Sequence, residues 1–246
     1  MTINKKHKNV LLTGASRGIG HATVKRFNAS GWRVLTCSRH AFDERCPCPR
    51  GRKNHIQVDL SDPKQTIVAA EEIKSKLNGK LHALINNAGI SPKFPDEGRM
   101  NTLNTDLRVW GQVFQVNFFA PVILARALKQ ELAAARGTIV NVTSIASSRV
   151  HPFAGAAYAT SKAALAALTR EMAHDYGPMG VRVNAIVPGE IDTNILSKGT
   201  DKIVQNLALR RLGQPYEIAD AIHFLCSDAS SYITGTEVLI NGGQHI

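Results

Sequence analysis

A glycine-rich turn close to the N-terminus constrains the fold of this chain more than any other feature. An apolar run at residues 8–13 leads into Thr13-Gly-Ala-Ser-Arg-Gly-Ile-Gly20, and apolar residues at helical spacing follow the turn. Strand, glycine-rich turn and helix in this order are typical of the βαβ unit that opens a dinucleotide-binding domain, where the pyrophosphate lies at the helix N-terminus. Because the spacing G-x-x-x-G-x-G differs from the general G-x-G-x-x-G fingerprint, an ordinary strand-to-helix loop is the alternative.

Strand patterns and helical patterns alternate along the rest of the 246-residue chain. Strand patterns occupy residues 33–36, 56–60, 81–85, 138–142, 181–187 and 237–240. Helical patterns occupy residues 63–77, a long segment ending near 135, 158–176 and 215–225. The alternation predicts one α/β domain over residues 1–246, a doubly wound Rossmann-type fold. Its mostly parallel sheet is expected to have about seven strands, with helices on both faces.

Two stretches fall outside this alternation. Residues 40–53 contain prolines and glycine and are expected to form a loop without regular structure. Residues 190–212 are polar and are suited to a substrate lid.

Composition and charge bear on the class of protein. A hydrophobic fraction of 43% and a charged fraction of 20% are typical of a globular protein. No apolar run reaches the roughly 18 residues of a membrane span, and the first apolar stretch is too short for a signal peptide. A cytoplasmic protein without a membrane partner is therefore expected. The net charge of +11 is compatible with nucleic-acid binding, but the charges are scattered. A site for a polyanionic cofactor or substrate explains the charge better, so no nucleic-acid partner is expected.

The four cysteines are Cys37, Cys46, Cys48 and Cys226. Cys46-Pro-Cys48 is too closely spaced for an ordinary pair of metal ligands, and no second pair completes a zinc set. We therefore expect reduced structural thiols and no metal site.

The end of the second predicted strand bears on the choice of nucleotide. Ser38 and Arg39 stand there, about twenty residues beyond the last glycine, where an NAD-binding chain places a carboxylate on the ribose hydroxyls. Arg17 lies within the glycine-rich turn. Two guanidinium groups can bind a 2′-phosphate bidentately, and no carboxylate repels it. The sequence therefore favours NADP(H) over NAD(H); the alternative is that both arginines are merely solvated.

Tyr158 and Lys162 are four residues apart, so they lie one turn apart on one face of a helical segment. An adjacent ammonium group favours the phenolate, so the pair predicts a tyrosine whose pKa is lowered towards the range of general acid–base catalysis. Ser144 stands at the carboxyl end of a predicted strand, where open α/β sheets bind ligands. Asn117, a polar residue within an apolar run, requires a buried partner or a water, which makes it functional or marks a kink.

These motifs, in this order, resemble those of the short-chain dehydrogenase/reductase family over essentially the whole chain. The matching elements are the turn at residues 13–20, Asn86-Asn-Ala-Gly89, Asn117, Ser144, Tyr158-Ala-Thr-Ser-Lys162, Pro188-Gly189 and Asn241-Gly-Gly243. The resemblance implies that Tyr158 is the general acid or base and that Lys162 lowers its pKa and holds the nicotinamide ribose. Ser144 would bind the substrate oxygen, and Asn117 would hold a water that relays protons. A homotetramer is also implied, built through the helix that contains Asn117 and the helix at 158–176.

The resemblance further implies which residues contact the cofactor, with Asp59 on the adenine, Asn87 on the ribose and Thr193 on the carboxamide. The implied set is Gly14, Ser16, Arg17, Gly18, Ile19, Gly20, Ser38, Arg39, Asp59, Leu60, Asn87, Ala88, Gly89, Tyr158, Lys162, Pro188, Gly189, Ile191 and Thr193.

The implied substrate is a small ketone or secondary alcohol, and the nearest functional resemblance is to 3-oxoacyl-[acyl-carrier-protein] reductases. An acyl thioester and an acyl carrier protein are options, although Ala135 and Met179 stand where those reductases often use arginines. Thirteen residues separate Ser144 from Tyr158, where many members have one fewer, so the loop between them must bulge. Ser147 or Ser148 could replace Ser144. The alternative hypothesis is a non-catalytic NADP(H)-binding sensor or scaffold.

Overall fold

A computed structural model describes residues 7–42, 51–95, 98–193 and 199–246. The strands in these ranges are β1 (Asn9–Thr13), β2 (Arg33–Ser38), β3 (His55–Gln57), β4 (Ala83–Asn86), β5 (Thr138–Val142), β6 (Arg182–Pro188) and β7 (Glu237–Ile240). All seven of these described strands pair in parallel, in the order β3-β2-β1-β4-β5-β6-β7. The chain therefore winds outward from β1 in both directions, which confirms the predicted doubly wound sheet.

Helices cover both faces of this sheet. They are α1 (Gly18–Ala29), α2 (Gly51–Asn54), α3 (Pro63–Lys76), α4 (Leu107–Phe114), α5 (Ala120–Ala127), α6 (Lys129–Ala135), α7 (Ala156–Tyr176), α8 (Thr200–Val204) and α9 (Pro215–Leu225). Residues of α3, α5 and α7 pack in one core with Leu11, whereas residues of α1 and α9 pack in a second core with Val10 and Leu12. Because successive strand residues point to opposite faces, β1 is apolar throughout and contributes to both cores.

The segment predicted as one long helix is interrupted in the structure. A π-helical turn, Gln115–Phe119, lies between α4 and α5, and Leu128 separates α5 from α6. Asn117 lies at the centre of the π-helical turn and is fully buried. The sequence indicated that this polar residue needed a buried partner or a water, and buried partners are present at Ile90 and Ser161. π-helical turns inside α-helices are frequent at functional sites.

Two further predicted boundaries differ from the structure. β3 ends before the predicted residue 60, because the Asp59 carboxylate and carbonyl accept hydrogen bonds from the backbone N–H groups of Ser61 and Asp62 and begin a turn. Part of the stretch predicted to be irregular forms the short helix α2, whose Gly51 packs so closely on the Phe42 ring that a Cβ would lie 2.1 Å from it. Residues 43–50, which include Cys46-Pro-Cys48, lie outside the described residues.

A buried chain of side-chain hydrogen bonds ties α7 to the sheet. Asn86 of β4 donates to Asn141 of β5 at 2.8 Å, and Asn141 donates to Thr169 of α7 at 2.9 Å. All three residues are at most 2% exposed. Polar groups this deeply buried need partners, so the chain sets the position of α7 against the carboxyl half of the sheet.

The helices in the four described ranges include none that is long and apolar enough to cross a membrane. The same residues contain no group of three or more His, Cys, Asp or Glu side chains that could hold a metal ion. Cys37 and Cys226 are free and buried, and burial raises the pKa of each thiol to about 12. Their environment is that of inert structural thiols.

Candidate active site

A cavity of about 880 Å³ opens along the carboxyl ends of the strands. It runs past β1 and β4, the point where strands are added to the sheet in opposite directions and where open α/β sheets bind ligands. Every residue named as a cofactor contact from the sequence lines it, as do Ser144, Tyr158 and Lys162. Asn117 is the one predicted catalytic residue that is not part of its lining.

The glycine-rich turn can follow its path only because it lacks side chains at two points. Gly14 has φ +69°, and a Cβ there would lie 2.8 Å from the Cα of Ala88. A Cβ on Gly20 would lie 2.1 Å from the Gly14 carbonyl oxygen. The turn therefore packs directly on the loop after β4, and α1 starts against the edge of the cavity.

The N-terminus of α1 suits a pyrophosphate. Arg17 is the N-cap residue, but no side chain caps the helix and its first turn contains no acidic residue. The first backbone N–H groups of a helix have no intrahelical partner and carry partial positive charge, so they bind phosphate oxygens well. Together with the volume of the cavity, this uncapped helix end shows that the residues fit a dinucleotide.

Asn87 fixes the glycine-rich turn to β4. Its side-chain amide donates to the carbonyl oxygens of Thr13 (3.0 Å) and Gly14 (2.9 Å). The Thr13 hydroxyl in turn accepts from the backbone N–H groups of Asn87 and Ala88. Both amide protons of Asn87 are used by the turn, so its side-chain oxygen is the group that remains for a ribose hydroxyl.

Tyr158 and Ser144 meet at the inner end of the cavity. Tyr158 lies in the first turn of α7, and Ser144 is near enough to its phenol to act on the pKa of Tyr158. Burial raises this pKa; Ser144 opposes the effect and the negative charge of Glu190 adds to it, so the pKa of Tyr158 lies above its ordinary value. The lowering of this pKa expected from the sequence is therefore wrong for this structure.

The reason lies in the position of Lys162. Its Nζ is 5.9 Å from the centre of the Tyr158 ring and donates to the Val142 carbonyl oxygen at 2.6 Å, at the end of β5. Lys162 is 3% exposed, and this burial lowers its own pKa to about 8. A Cβ on Gly89 would lie 3.3 Å from Nζ, so the loop after β4 closes over the ammonium group.

Asn117 holds three segments together behind the cavity. Its amide donates to the Ile90 carbonyl oxygen (3.1 Å) and the Ser161 hydroxyl (3.0 Å), and its side-chain oxygen accepts from the Ile90 N–H (2.9 Å). These bonds join the π-helical turn, the loop after β4 and α7. Both amide protons are used in these bonds, so Asn117 holds Ser161, the residue before Lys162, in place. The implied water relay stays a prediction.

The end of the cavity where the sequence predicts the adenine is formed by the ends of β2 and β3. Arg17 and Arg39 both line it, both are exposed, and within the described residues neither makes an ion pair with a carboxylate. The carbonyl of Arg39 is held by the Gln57 amide at 3.0 Å. Asp59 lines the same cavity and uses one carboxylate oxygen to accept from Ser61 N–H.

One charged group in the cavity had no role in the sequence analysis. Glu190 follows Pro188-Gly189 directly, and one of its oxygens lies 2.6 Å from His151 Nε2 and 3.2 Å from the Gln244 amide. His151 lies in the loop between Ser144 and Tyr158, the loop that is one residue longer than usual. The extra length of this loop was the one sequence feature that pointed to an unusual role for it. Nothing in the sequence indicated that His151 would contact Glu190.

The predicted lid is described in part. α8 and the residues at 199–212 belong to it, and residues 194–198 lie outside the described residues. Thr193, at the start of the stretch, lies against Gly18, whose Cβ would be 3.1 Å from the threonine methyl group. A lid movement stays a prediction.

A parallel sheet with a dinucleotide-sized cavity at its switch point, lined by Tyr158 and Ser144 beside a buried lysine, defines a nicotinamide-dependent oxidoreductase. A family model described as enoyl-(acyl carrier protein) reductase matches residues 14–245. The chain belongs to the short-chain dehydrogenase/reductase family, as the sequence motifs indicated, and its members act on CH–OH or carbonyl groups.

Individual relatives agree with this assignment. Protein FixR of Bradyrhizobium diazoefficiens is 60% identical over 97% of this chain and 87% of its own length. A 3-oxoacyl-[acyl-carrier-protein] reductase of Aquifex aeolicus is 31% identical over 99% of this chain and 100% of its own. A crystal structure of a Brucella ovis short-chain dehydrogenase/reductase with partially ordered NAD is 58% identical, has a TM-score of 0.84, and covers 96% of this chain and 100% of its own.

Lys162 is expected to make stability depend on pH. Its pKa falls from 10.5 in the unfolded chain to about 8 when it is buried. Between these values the unfolded chain binds more protons, so this group raises the free energy of unfolding as pH rises. We expect the free energy of unfolding of the wild type to gain roughly 3 kcal/mol relative to Lys162→Met across that window. Urea denaturation at several pH values measures this free energy. Lys129→Met, at an exposed site, is the control. If the free energy of unfolding changes with pH in the same way in the wild type and in Lys162→Met, the expectation is contradicted.

Proposed function

We propose that this protein is an NADP(H)-dependent oxidoreductase that exchanges hydride between the nicotinamide and a ketone or secondary alcohol. The observation that carries the proposal is that Tyr158 and Ser144 line the same dinucleotide-sized cavity, with the buried Lys162 one helical turn from Tyr158. A general acid, an oxyanion donor and a cation thus surround one position where a carbonyl oxygen can lie.

Each of the three residues has a role that follows from its environment. A buried phenol with a raised pKa stays protonated at neutral pH, so Tyr158 can donate its proton to a carbonyl oxygen that is gaining charge. Ser144 donates a hydrogen bond to the same oxygen and stabilises that charge. The ammonium of Lys162, held by the Val142 carbonyl, holds the nicotinamide ribose. The bound nicotinamide supplies the hydride chemistry.

Cofactor preference rests on charge at the end of β2. Arg17 and Arg39 are exposed and line the cavity where a 2′-phosphate would lie, and no carboxylate stands beside Ser38. Guanidinium groups bind phosphate strongly, so NADP(H) is proposed over NAD(H). The NAD of the Brucella ovis structure is consistent with the same cavity accepting both nucleotides.

The remaining proposals concern the substrate, a protein partner and the cellular location. A small carbonyl compound or alcohol is the proposed substrate, and Ala135 and Met179 give no cationic site for an acyl carrier protein. A cytoplasmic location is supported by the free, buried Cys37 and Cys226. A sensor or scaffold that binds NADP(H) without turnover is the alternative, and the complete set of Asn117, Ser144, Tyr158 and Lys162 disfavours it.

Replacing the proposed proton donor tests catalysis directly. Tyr158→Phe removes one hydroxyl and keeps the ring, so we expect NADPH-dependent reduction of a panel of ketones to fall at least about a hundredfold, since general acid–base groups contribute roughly that much or more. NADPH binding, measured by nicotinamide fluorescence, should be nearly unchanged. Tyr176→Phe, on the same helix but outside the cavity, is the control. Equal turnover by wild type and Tyr158→Phe would exclude this mechanism.

Reversing one charge tests cofactor preference. Arg39→Asp places a carboxylate where a 2′-phosphate would bind, so we expect kcat/KM for NADPH to fall and the preference to shift towards NADH by about tenfold or more. Lys129→Asp, on the exposed start of α6, makes the same charge change elsewhere and should leave the preference unchanged. If Arg39→Asp keeps the wild-type preference, Arg39 does not discriminate between the nucleotides.

We also propose a homotetramer that uses α4, α5 and α7. Leu107 and Phe119 are large apolar residues exposed on this side of the subunit, 83% and 48% respectively. Burying such residues between subunits is favourable because it removes apolar surface from water. Multi-angle light scattering should give four times the subunit mass of 26.7 kDa, and a monomeric mass would exclude the assembly.

A further inference from the structure

A buried carboxylate forms part of the cavity wall beside the proposed catalytic residues. Glu190 is 9% exposed and lines the same cavity as Ser144 and Tyr158. It is near enough to Tyr158 for its charge to affect that phenol. Within the described residues, its one ion-pair partner is His151, and no lysine or arginine lies within ion-pair distance of its oxygens. The proposed mechanism makes no use of this group.

The hydrogen bonds of His151 determine which ring nitrogen donates to Glu190. Its Nδ1 accepts from the backbone N–H groups of Phe153 and Ala154, both at 3.2 Å. A nitrogen that accepts carries no proton, so the single ring proton is on Nε2 and is donated to Glu190 at 2.6 Å. A proton on Nδ1 would face the N–H groups of Phe153 and Ala154, which would be unfavourable because all three groups are hydrogen-bond donors. The ring therefore donates its Nε2 proton to Glu190, whose carboxylate faces the cavity with His151 as its hydrogen-bond partner.

Gln244 completes the support of the carboxylate. Its amide donates to the same Glu190 oxygen at 3.2 Å, while its own side-chain oxygen is buried without a partner. Burial by itself would raise the pKa of Glu190, but the bonds from His151 and Gln244 outweigh burial and hold the pKa below its ordinary value. Glu190 is thus ionised at neutral pH although it is almost inaccessible to water.

A desolvated carboxylate in a substrate cavity imposes a definite chemical preference. It is stabilised by a hydrogen-bond donor, gains nothing from an apolar group, and repels a second anion. Hydrogen bonds to a charged group are also stronger than those between neutral groups. A substrate is therefore favoured if it places a donor beside the carbon that reacts at Tyr158.

We propose that Glu190, positioned by His151 and Gln244, determines substrate specificity and selects ketones that carry a hydrogen-bond donor, a hydroxyl or ammonium group, next to the reacting carbonyl. This inference rests on the proposed oxidoreductase function and gives that function a substrate class. It disfavours keto acids, whose carboxylate Glu190 repels, and simple acyl chains, which leave Glu190 without a donor.

A purely structural role for the pair has a different consequence. His151 and Glu190 join the loop between Ser144 and Tyr158 to the end of β6. If they only hold this loop, their replacement changes the reduction of every ketone by the same factor. A specificity role changes the ratio between ketones that differ in the donor alone.

The test compares acetoin with methyl isopropyl ketone, in which a methyl group replaces the hydroxyl at nearly the same volume. Aminoacetone is included as a ketone that carries an ammonium group, and acetoacetate as a ketone that carries a carboxylate. Wild type, Glu190→Gln and the control Glu72→Gln, an exposed change on α3, are assayed with NADPH. Glu190→Gln keeps size and an acceptor for His151 but removes the charge.

We expect the wild type to prefer acetoin in kcat/KM, and Glu190→Gln to reduce the acetoin-to-methyl-isopropyl-ketone ratio by about tenfold, the difference between a charged and a neutral acceptor. Aminoacetone should lose more than acetoin, and acetoacetate should improve. Glu72→Gln should leave all ratios unchanged. Equal ratios for wild type and Glu190→Gln, with turnover intact, would overturn the specificity role and leave the oxidoreductase function standing.

A binding measurement separates the two proposals if no ketone is reduced. Calorimetry with NADP⁺ and either butane-2,3-diol or methyl isopropyl carbinol measures the same preference without turnover. Tighter binding of the diol, lost in Glu190→Gln, would support the role of Glu190 even if the oxidoreductase function failed on this panel. Equal affinities for the two alcohols would overturn it.

Discussion

The position of α7 against the sheet is the constraint on which the site depends, because α7 carries both Tyr158 and Lys162. Two sets of buried polar contacts set that position. The chain Asn86–Asn141–Thr169 fixes the middle of the helix to β4 and β5, and Asn117 fixes its first turns through Ser161. Buried amides without partners are costly, so each contact tolerates little displacement. The π-helical turn serves the same need for buried hydrogen-bond partners, because it places Asn117 within hydrogen-bond distance of both Ser161 and Ile90.

Burial then sets the charge of each functional group in the cavity. It lowers the pKa of Lys162, raises that of Tyr158 and would raise that of Glu190, but local hydrogen bonds reverse the outcome for Glu190. The result is a neutral phenol, an ammonium whose pKa is about 8 and a carboxylate along one cavity. Electrostatic interactions are stronger there than in water, so small changes in partners have large effects on which ligand the cavity accepts.

The bounds predicted from the sequence were most accurate where local residues, such as a capping box, mark the start or end of an element. α9 and β7 have the predicted bounds, and α9 begins with Pro215 at its first position and a Gln214–Glu217 capping box. The sequence did not predict the end of β3 or the break after Phe114. Each depends on specific hydrogen bonds, and the periodic pattern of apolar residues carries no information about them. The pKa of Tyr158 was predicted in the wrong direction because a neighbouring lysine can be read from the sequence, whereas the loss of solvent around the phenol cannot.

The sequence by itself determined the doubly wound sheet, the glycine-rich turn and a set of residues that line the cavity, since strand and helix periodicity, turn chemistry and motif spacing are local properties of the chain. It also indicated that the loop before Tyr158 was unusual. Only the tertiary structure decided that Lys162 turns to Val142, that Asn87 is bound to the glycine-rich turn, and that His151 meets Glu190. These contacts join residues 20 to 74 positions apart. Their geometry arises from the packing of α7 and the strand ends, which spacing along the chain does not encode.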